Sequence, residues 1–142
     1  MSNWTHVAGV IRIDDFRFED SPEVNFDELI GMELDFNDDE KKWIDADEHP
    51  EKFLPIGSEG SLKKSVWVNP DIDDVDSYAV TIFGDLRDHD DPDKIIEWFK
   101  GICSKFSIRN AVITAQNEVN GTRTWSKDYN CELESRDRED KS

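Results

Sequence analysis

The sequence predicts an α+β fold, a ferredoxin-like sandwich with helices on one face of an antiparallel-rich sheet. Three observations predict this class. Segments with strand-like alternation surround two helical segments in the order strand, helix, strand, strand, helix, strand, with an extra C-terminal hairpin strand. The helix that follows Pro92 has an apolar stripe wide enough to cover a sheet. A chain of 142 residues is also long enough to bury its own core.

The first half of the chain contains one clear strand and a charged segment. A strand is predicted from Trp4 to Ile13, and because both of its alternating faces carry apolar residues it should be central in the sheet. Asn25 is a suitable N-cap, so a short helix is expected from there to Met32. An acidic insertion at about 33–56 still contains apolar residues, and we expect it to fold back on the core as irregular or short helical structure.

The middle of the chain contains the clearest helix. An acidic loop joins a strand from Leu62 to Val68 to a strand that starts at Tyr78, as an antiparallel pair requires. An acidic run then ends at Pro92, and an aspartate N-cap followed by proline predicts the start of a helix. The apolar stripe of this helix consists of Ile95, Ile96, Trp98, Phe99, Ile102, Cys103 and Phe106.

The C-terminal part is predicted to be a hairpin. An alternating strand from Ile108 to Glu118 is followed by Asn120-Gly121, which predicts a two-residue turn into a last strand ending near Trp125. Beyond it the chain becomes a mixed-charge tail with few apolar residues.

The sequence also predicts the limits of the domain and its cellular environment. We expect a single domain over residues 1–129 and a disordered tail over 130–142. The chain has no apolar run of membrane-spanning length and no signal-peptide pattern, which predicts a cytoplasmic protein without a membrane partner. Cys103 and Cys131 suggest neither a disulfide framework nor a metal cluster, and no cofactor is expected.

The net charge of −17 is concentrated in two segments. Residues 14–51 contain 16 acidic and 3 basic residues, and residues 71–93 contain 9 acidic residues and 1 basic residue. A field of this sign repels nucleic acid and attracts basic partners, although acidity can also serve only to keep a small protein soluble. We expect a basic host protein as partner, such as a nucleic-acid-binding enzyme, and no direct contact with nucleic acid. The expected contact residues are Asp38, Asp39, Glu40, Asp71, Asp73, Asp74 and Asp76.

A glycine-rich loop suggests a second kind of site. Successive backbone N–H groups of such a loop can surround a phosphate, and Arg87 could add positive charge. The loop precedes a strand and lacks both the Walker lysine and the dinucleotide-binding glycine spacing, so a plain turn is the competing interpretation. The residues of this alternative ligand site are Gly57, Ser58, Gly60, Ser61 and Arg87.

Alternation also predicts large side chains on the sheet face away from the helices. Some of Trp4, His6, Trp67, Phe83, Thr114 and Trp125 are expected there. A homodimer contact or cover by the acidic insertion is favoured over base stacking, because the aromatic-glycine motif of RNA-binding sheets is absent.

Carboxylates near His89 are the ingredients of acid–base chemistry. The dipole of the helix that starts beside them also favours acidic residues, however, so capping is the preferred interpretation. The sequence contains no EF-hand pattern, histidine ligand spacing or nucleophile–base arrangement. We therefore expect no catalytic residue, no metal site and no enzymatic activity.

Three stretches, Trp4-Thr5-His6-Val7, Gly57–Ser61 and Phe83–Asp88, resemble the small acidic accessory proteins encoded by bacteriophages and prophages. The resemblance implies an inhibitor of host defence that occupies a basic nucleic-acid site. The leading hypothesis is therefore a non-enzymatic, protein-binding mimic of nucleic-acid phosphates. The alternatives are a small-molecule binder for nucleotide-like ligands and an immunity protein that neutralises a basic toxin.

Overall fold

The computed structural model describes residues 3–16, 25–35, 37–70, 75–128 and 137–140. Six strands form one open antiparallel sheet, and the α+β class is confirmed. The strands are β1 (Trp4–Phe16), β2 (Lys63–Pro70), β3 (Val75–Arg87), β4 (Ile108–Asn117), β5 (Gly121–Lys127) and β6 (Asp137–Asp140). The helices are α1 (Phe26–Leu29), α2 (Glu40–Glu48) and α3 (Pro92–Cys103), and a 3-10 turn at Pro50–Lys52 follows α2.

The strand order is β2-β3-β1-β4-β5-β6, so β1 is central as predicted. β5 and β6 extend the sheet beyond β4, and the order therefore differs from that of a four-stranded ferredoxin-like sheet. β6 lies within the stretch 130–142 that the sequence predicts to be disordered, and it pairs with β5. The rest of that stretch is outside the described residues.

One face of the sheet forms the core with α3. Alternate residues of each central strand point to this face, as the sequence predicts. α3 begins at Pro92 after the N-cap Asp91, whose side chain accepts a hydrogen bond from the Asp93 backbone N–H at 3.0 Å. It ends at Cys103, so Phe106 lies past the helix and packs on Phe26. The main buried residues are Val7, Ile11, Ile13, Val80, Ile82, Leu86, Ile95, Phe99, Ile102, Ile113 and Trp125.

The acidic insertion has a small apolar cluster of its own. Leu34, Ala46 and Phe53 are buried together, and Met32 and Trp43 pack against them. This cluster lets the segment fold despite its charge, and α2 is short helical structure, one of the two forms expected for the segment. α1 ends earlier than predicted, because the chain turns at residue 31, a glycine with a positive φ of 136° that a helix cannot continue through.

The β4–β5 connection differs from the prediction by one residue of loop length. The turn comprises Glu118–Asn120, so Asn117 pairs with Gly121 and Ile113 pairs with Trp125. A two-residue Asn120-Gly121 turn would have paired odd with even positions and sent Trp125 to the open face. Trp125 is instead buried beneath α3 with its ring centroid 5.8 Å from that of Phe99, so its expected place on the open face was wrong.

Candidate functional site

α2 is the centre of the acidic region. It forms because Asp39 caps its first turn, with the carboxylate accepting the Lys42 backbone N–H at 2.9 Å. Trp43 and Ala46 anchor the inner side of the helix in the apolar cluster of the insertion. The outer side is therefore fixed toward solvent.

Exposed Lys41 lies on that outer side. Four further residues at positions i, i+4, i+7 and i+8 share it: Glu40, Ile44, Asp47 and Glu48. We call them the acidic face of α2. All four are exposed, and the Ile44 side chain is 48% exposed between the three carboxylates. Among the described residues, none of these carboxylates forms an ion pair or a side-chain hydrogen bond.

Two of these carboxylates lie at the unfavourable end of the helix. Asp47 and Glu48 are in the last turn, and that turn contains no basic residue. The helix macrodipole is negative there, so each anion destabilises the helix by about 0.3–1 kcal/mol. A bound cationic group would remove this cost. Glu40, in the first turn, is placed where the dipole favours an anion.

The predicted contact residues around α2 have separate roles. Asp38 accepts the Asp35 backbone N–H at 2.6 Å and pairs with Lys42 Nζ at 3.3 Å. That hydrogen bond, and then the bond to Lys42, hold the pKa of Asp38 below its ordinary value. Asp39 is the cap of α2, and only Glu40 belongs to the acidic face. Asp71, Asp73 and Asp74 are outside the described residues, as is the side chain of Asp76.

Sequence reasoning missed Ile44, Asp47 and Glu48. Their helical spacing was available, but the charge-rich insertion gave no strong apolar periodicity from which to place a helix. The capping aspartate three residues before Lys42 was the usable signal.

The glycine-rich loop packs across the end of β3. The backbone N–H of Gly57 donates to Gly60 O at 3.0 Å, and that of Ser58 donates to Arg87 O at 2.8 Å. In return, the Arg87 backbone N–H donates to Glu59 O at 3.0 Å, and its guanidinium pairs with the Glu59 carboxylate at 2.7 Å. These contacts use the backbone N–H groups of Gly57 and Ser58 and the Arg87 guanidinium within the chain, three of the groups that the ligand hypothesis requires.

The two glycines of this loop are needed for close backbone approach. A Cβ on Gly57 would lie 2.4 Å from Arg87 O, and one on Gly60 would lie 2.2 Å from Asp85 O. Gly60 also has a φ of +85°, which other residues rarely adopt. Ser58 donates to Asp88 Oδ2 at 2.7 Å, and Ser61 is buried. We call the loop Gly57–Ser61 the clasp, because its hydrogen bonds and close backbone contacts hold it against the end of β3.

Two histidines near this end of the sheet have opposite environments. His6 Nδ1 lies 2.6 Å from Asp85 Oδ1, and its Nε2 lies 3.5 Å from Glu118 Oε2. The hydrogen bond that His6 makes to the Asp85 carboxylate, and less strongly the one to Glu118, raises the pKa of His6. Burial lowers the pKa of His89, whose Nδ1 has no hydrogen-bond partner among the described residues. The backbone carbonyl of His89 accepts hydrogen bonds from the buried side chains of Thr5 and Asn117.

The sheet face opposite α3 is uncovered by any described helix. Its large exposed side chains include Trp67, Phe83 and Val112, with small residues such as Ala8 and Ala79 between them. The strand register also places Trp4, His6 and Thr114 on this face, as the alternation predicts. The homodimer contact expected there stays a prediction.

Comparison of the chain with protein-family models, with curated proteins and with solved structures finds no significant match. Within the described ranges, no helix is long and apolar enough to cross a membrane. The same part of the chain contains no group of three or more His, Cys, Asp or Glu side chains arranged to hold a metal ion. Cys103 is buried, and Cys131 is outside the described residues.

Proposed function

We propose that this chain is a non-enzymatic binding protein whose acidic face of α2 docks on a basic surface of a partner protein. The observation that carries the proposal is a set of three carboxylates around exposed Ile44 that have no partner in the described part of the chain, two of them at the helix end that disfavours anions. Lysine or arginine side chains of a partner would relieve that repulsion, while Ile44 would enter an apolar pocket.

We further propose that the acidic face imitates nucleic-acid phosphates. From Glu40 to Glu48 the helix rises about 12 Å, over which the face presents three carboxylates. One strand of B-DNA carries one phosphate per about 3.4 Å of axis, or about three to four over that length. A partner site built for a nucleic-acid strand would therefore find a similar number of anionic groups on the acidic face, with the cation of Lys41 beside them. A phage-encoded inhibitor of a host defence protein and an immunity protein against a basic toxin both fit this chemistry, and they differ in the partner.

A ferredoxin-like origin of the fold is also proposed. It is supported by the order β2-β3-β1-β4 with antiparallel neighbours throughout, to which β5 and β6 are added at one edge. In this arrangement α3 covers one face, and the acidic insertion replaces the simple helix that would join β1 to β2.

The test combines capture from bacterial lysate at low salt with two matched triple variants. One variant neutralises the acidic face through Glu40→Gln, Asp47→Asn and Glu48→Gln. The control makes the same charge change elsewhere through Glu28→Gln, Asp90→Asn and Glu97→Gln. We expect the wild type to capture a basic partner, and we expect high salt or duplex DNA to release it. The control variant should still bind this partner, and the acidic-face variant should not.

Two results would contradict the proposal. Equal binding of one purified partner by the wild type and by the acidic-face variant would remove α2 from the interface. Equal loss in both variants would show that total charge alone drives association. Binding that depends on α2 but that DNA fails to displace would keep the docking surface and reject the phosphate mimic.

A further inference from the structure

A cavity of about 420 Å³ opens at one end of the uncovered sheet face. Its floor is a single cross-strand row, because Ala79 pairs with Trp67 on one side and with Arg12 on the other. Neighbouring strands are about 4.8 Å apart, so the backbones of Trp67 and Arg12 are separated by about 10 Å with only a methyl group between them. Asp14 and Arg109 are also among the lining residues. The volume falls in the range of small-molecule sites, about 300–1,000 Å³.

The cavity is locally cationic in a strongly acidic chain. Arg12 is exposed and its guanidinium donates to Asn110 Oδ1 at 2.9 Å, a neutral acceptor. Of the arginines whose side chains the structure describes, it is the one without a carboxylate partner. The others pair within 3.1 Å: Arg87 with Glu59, Arg109 with Asp14 and Arg123 with Asp93.

The other wall of the cavity is a flat aromatic surface. Trp67 is 69% exposed, compared with 48% for Phe83, the other exposed aromatic side chain among the described residues. Ala79 lies between the exposed indole of Trp67 and the guanidinium of Arg12. Its small side chain leaves a slot in which a planar ring can stack on the indole. The guanidinium can then bind a phosphate or carboxylate on that ring through two parallel hydrogen bonds.

We infer that this cavity binds a small anion built on a planar ring, of the nucleoside monophosphate class, with the ring on Trp67 and the phosphate on Arg12. A free mononucleotide is favoured over a strand, because the net charge of −17 repels a polyanion more strongly than a single phosphate group. None of the lining residues belongs to α2, so this site is independent of the acidic face.

The test is calorimetric titration of the full chain with AMP at low salt, with adenosine and inorganic phosphate as the two partial ligands. We expect AMP to bind and each partial ligand to bind at least about tenfold more weakly, because each loses one of the two contacts. Arg12→Gln and Trp67→Leu should each weaken AMP binding by about ten- to hundredfold. Arg123→Gln and Phe83→Leu, which alter an arginine and an exposed aromatic outside the cavity, should bind AMP as the wild type does.

Three outcomes would overturn the inference. AMP that fails to bind at millimolar concentration rejects the ligand class. Equal affinity in Arg12→Gln, Trp67→Leu and the wild type rejects the location. A short single-stranded oligonucleotide that binds more tightly than AMP, with the same dependence on Arg12 and Trp67, rejects the free nucleotide as the ligand. Melting temperatures of all four variants should stay near the wild-type value because the replaced side chains are wholly or partly exposed.

Discussion

The glycine-rich loop and the acidic residues Asp38–Glu40 at the start of α2 were both predicted to contribute to binding sites, and the two regions differ in how far their polar groups are used within the fold. In the loop, backbone amides and the Arg87 guanidinium have partners within the chain, and the glycines permit those contacts. At α2, Asp39 caps the helix, but Glu40, Asp47 and Glu48 form no ion pair or side-chain hydrogen bond with the residues that the structure describes. The hydrogen bonds of the loop account for its glycines and for Arg87 within the fold. The three exposed carboxylates of α2 have no such contact among the described residues, and they are the groups that the proposed function uses.

The largest expected effect tests whether the loop is a clasp. Gly60→Ala should destabilise the protein by about 2–4 kcal/mol, because the new Cβ meets Asp85 O and the positive φ becomes strained. Gly101→Ala is the matched control. No atom lies within 4 Å of the Cβ it would add, and it should stabilise α3 by about 0.5–1 kcal/mol. Urea unfolding of both variants measures the difference, and a neutral Gly60→Ala would show that the loop stands free of β3.

Local signals were enough to predict the parts of the fold that local chemistry determines. Asp91 and Pro92 mark the start of α3, and its apolar stripe identifies the face that it buries. Alternation in β1 and β3 identifies which side chains enter the core. In these elements, a few consecutive residues carry both the propensity and the burial pattern.

The other features of the fold and of the site depend on contacts between residues that are distant in the sequence or on the exact length of a turn. The clasp joins Gly57 to Arg87, 30 positions along the chain, so only the assembled sheet reveals why glycine is required. The face of Trp125 depends on one residue of turn length. Asn117 sets that length, since its side-chain oxygen accepts the backbone N–H groups of Val119 and Asn120 at 2.9 and 2.7 Å. An asparagine at a strand end was a visible signal, but Asn120-Gly121 was the stronger statistical one.

The next largest effect on stability distinguishes the capping residue of α2 from a residue of its acidic face. Asp39→Ala should destabilise the protein by about 1 kcal/mol, because the Lys42 backbone N–H loses its acceptor. Glu40→Gln, one residue later, should change stability by less than about 0.5 kcal/mol, since its side chain has no described partner. Thermal or urea unfolding measures both. Equal effects at the two positions would mean that the cap geometry contributes nothing.

Substitutions that should stabilise the protein by a smaller amount test whether Asp47 and Glu48 destabilise the C-terminal end of α2. Asp47→Lys and Glu48→Lys should each stabilise the protein by about 0.3–1 kcal/mol, because cations are favoured at a helix C-terminus. Glu40→Lys should do the reverse in the first turn. If α2 is the docking surface, the two stabilising variants also lose partner binding, a trade of function for stability. Destabilisation by Asp47→Lys and Glu48→Lys would show that these carboxylates have a structural role instead.

The smallest effect compares the two histidines at the clasped end of the sheet. The pKa of His6 is raised, so it adds stability below its ordinary value of 6.5, and this stability is lost as pH rises through the folded pKa. The pKa of His89 is lowered, so its contribution is present above 6.5 and is lost as pH falls through the folded pKa. NMR titration should place the His6 midpoint above 6.5 and that of His89 below it. Asp85→Asn should move the His6 midpoint down and leave that of His89 in place, because Asp85 is the main cause of the first shift and is absent from the causes of the second. Midpoints that moved together would mean that both histidines sense only the net charge of the chain.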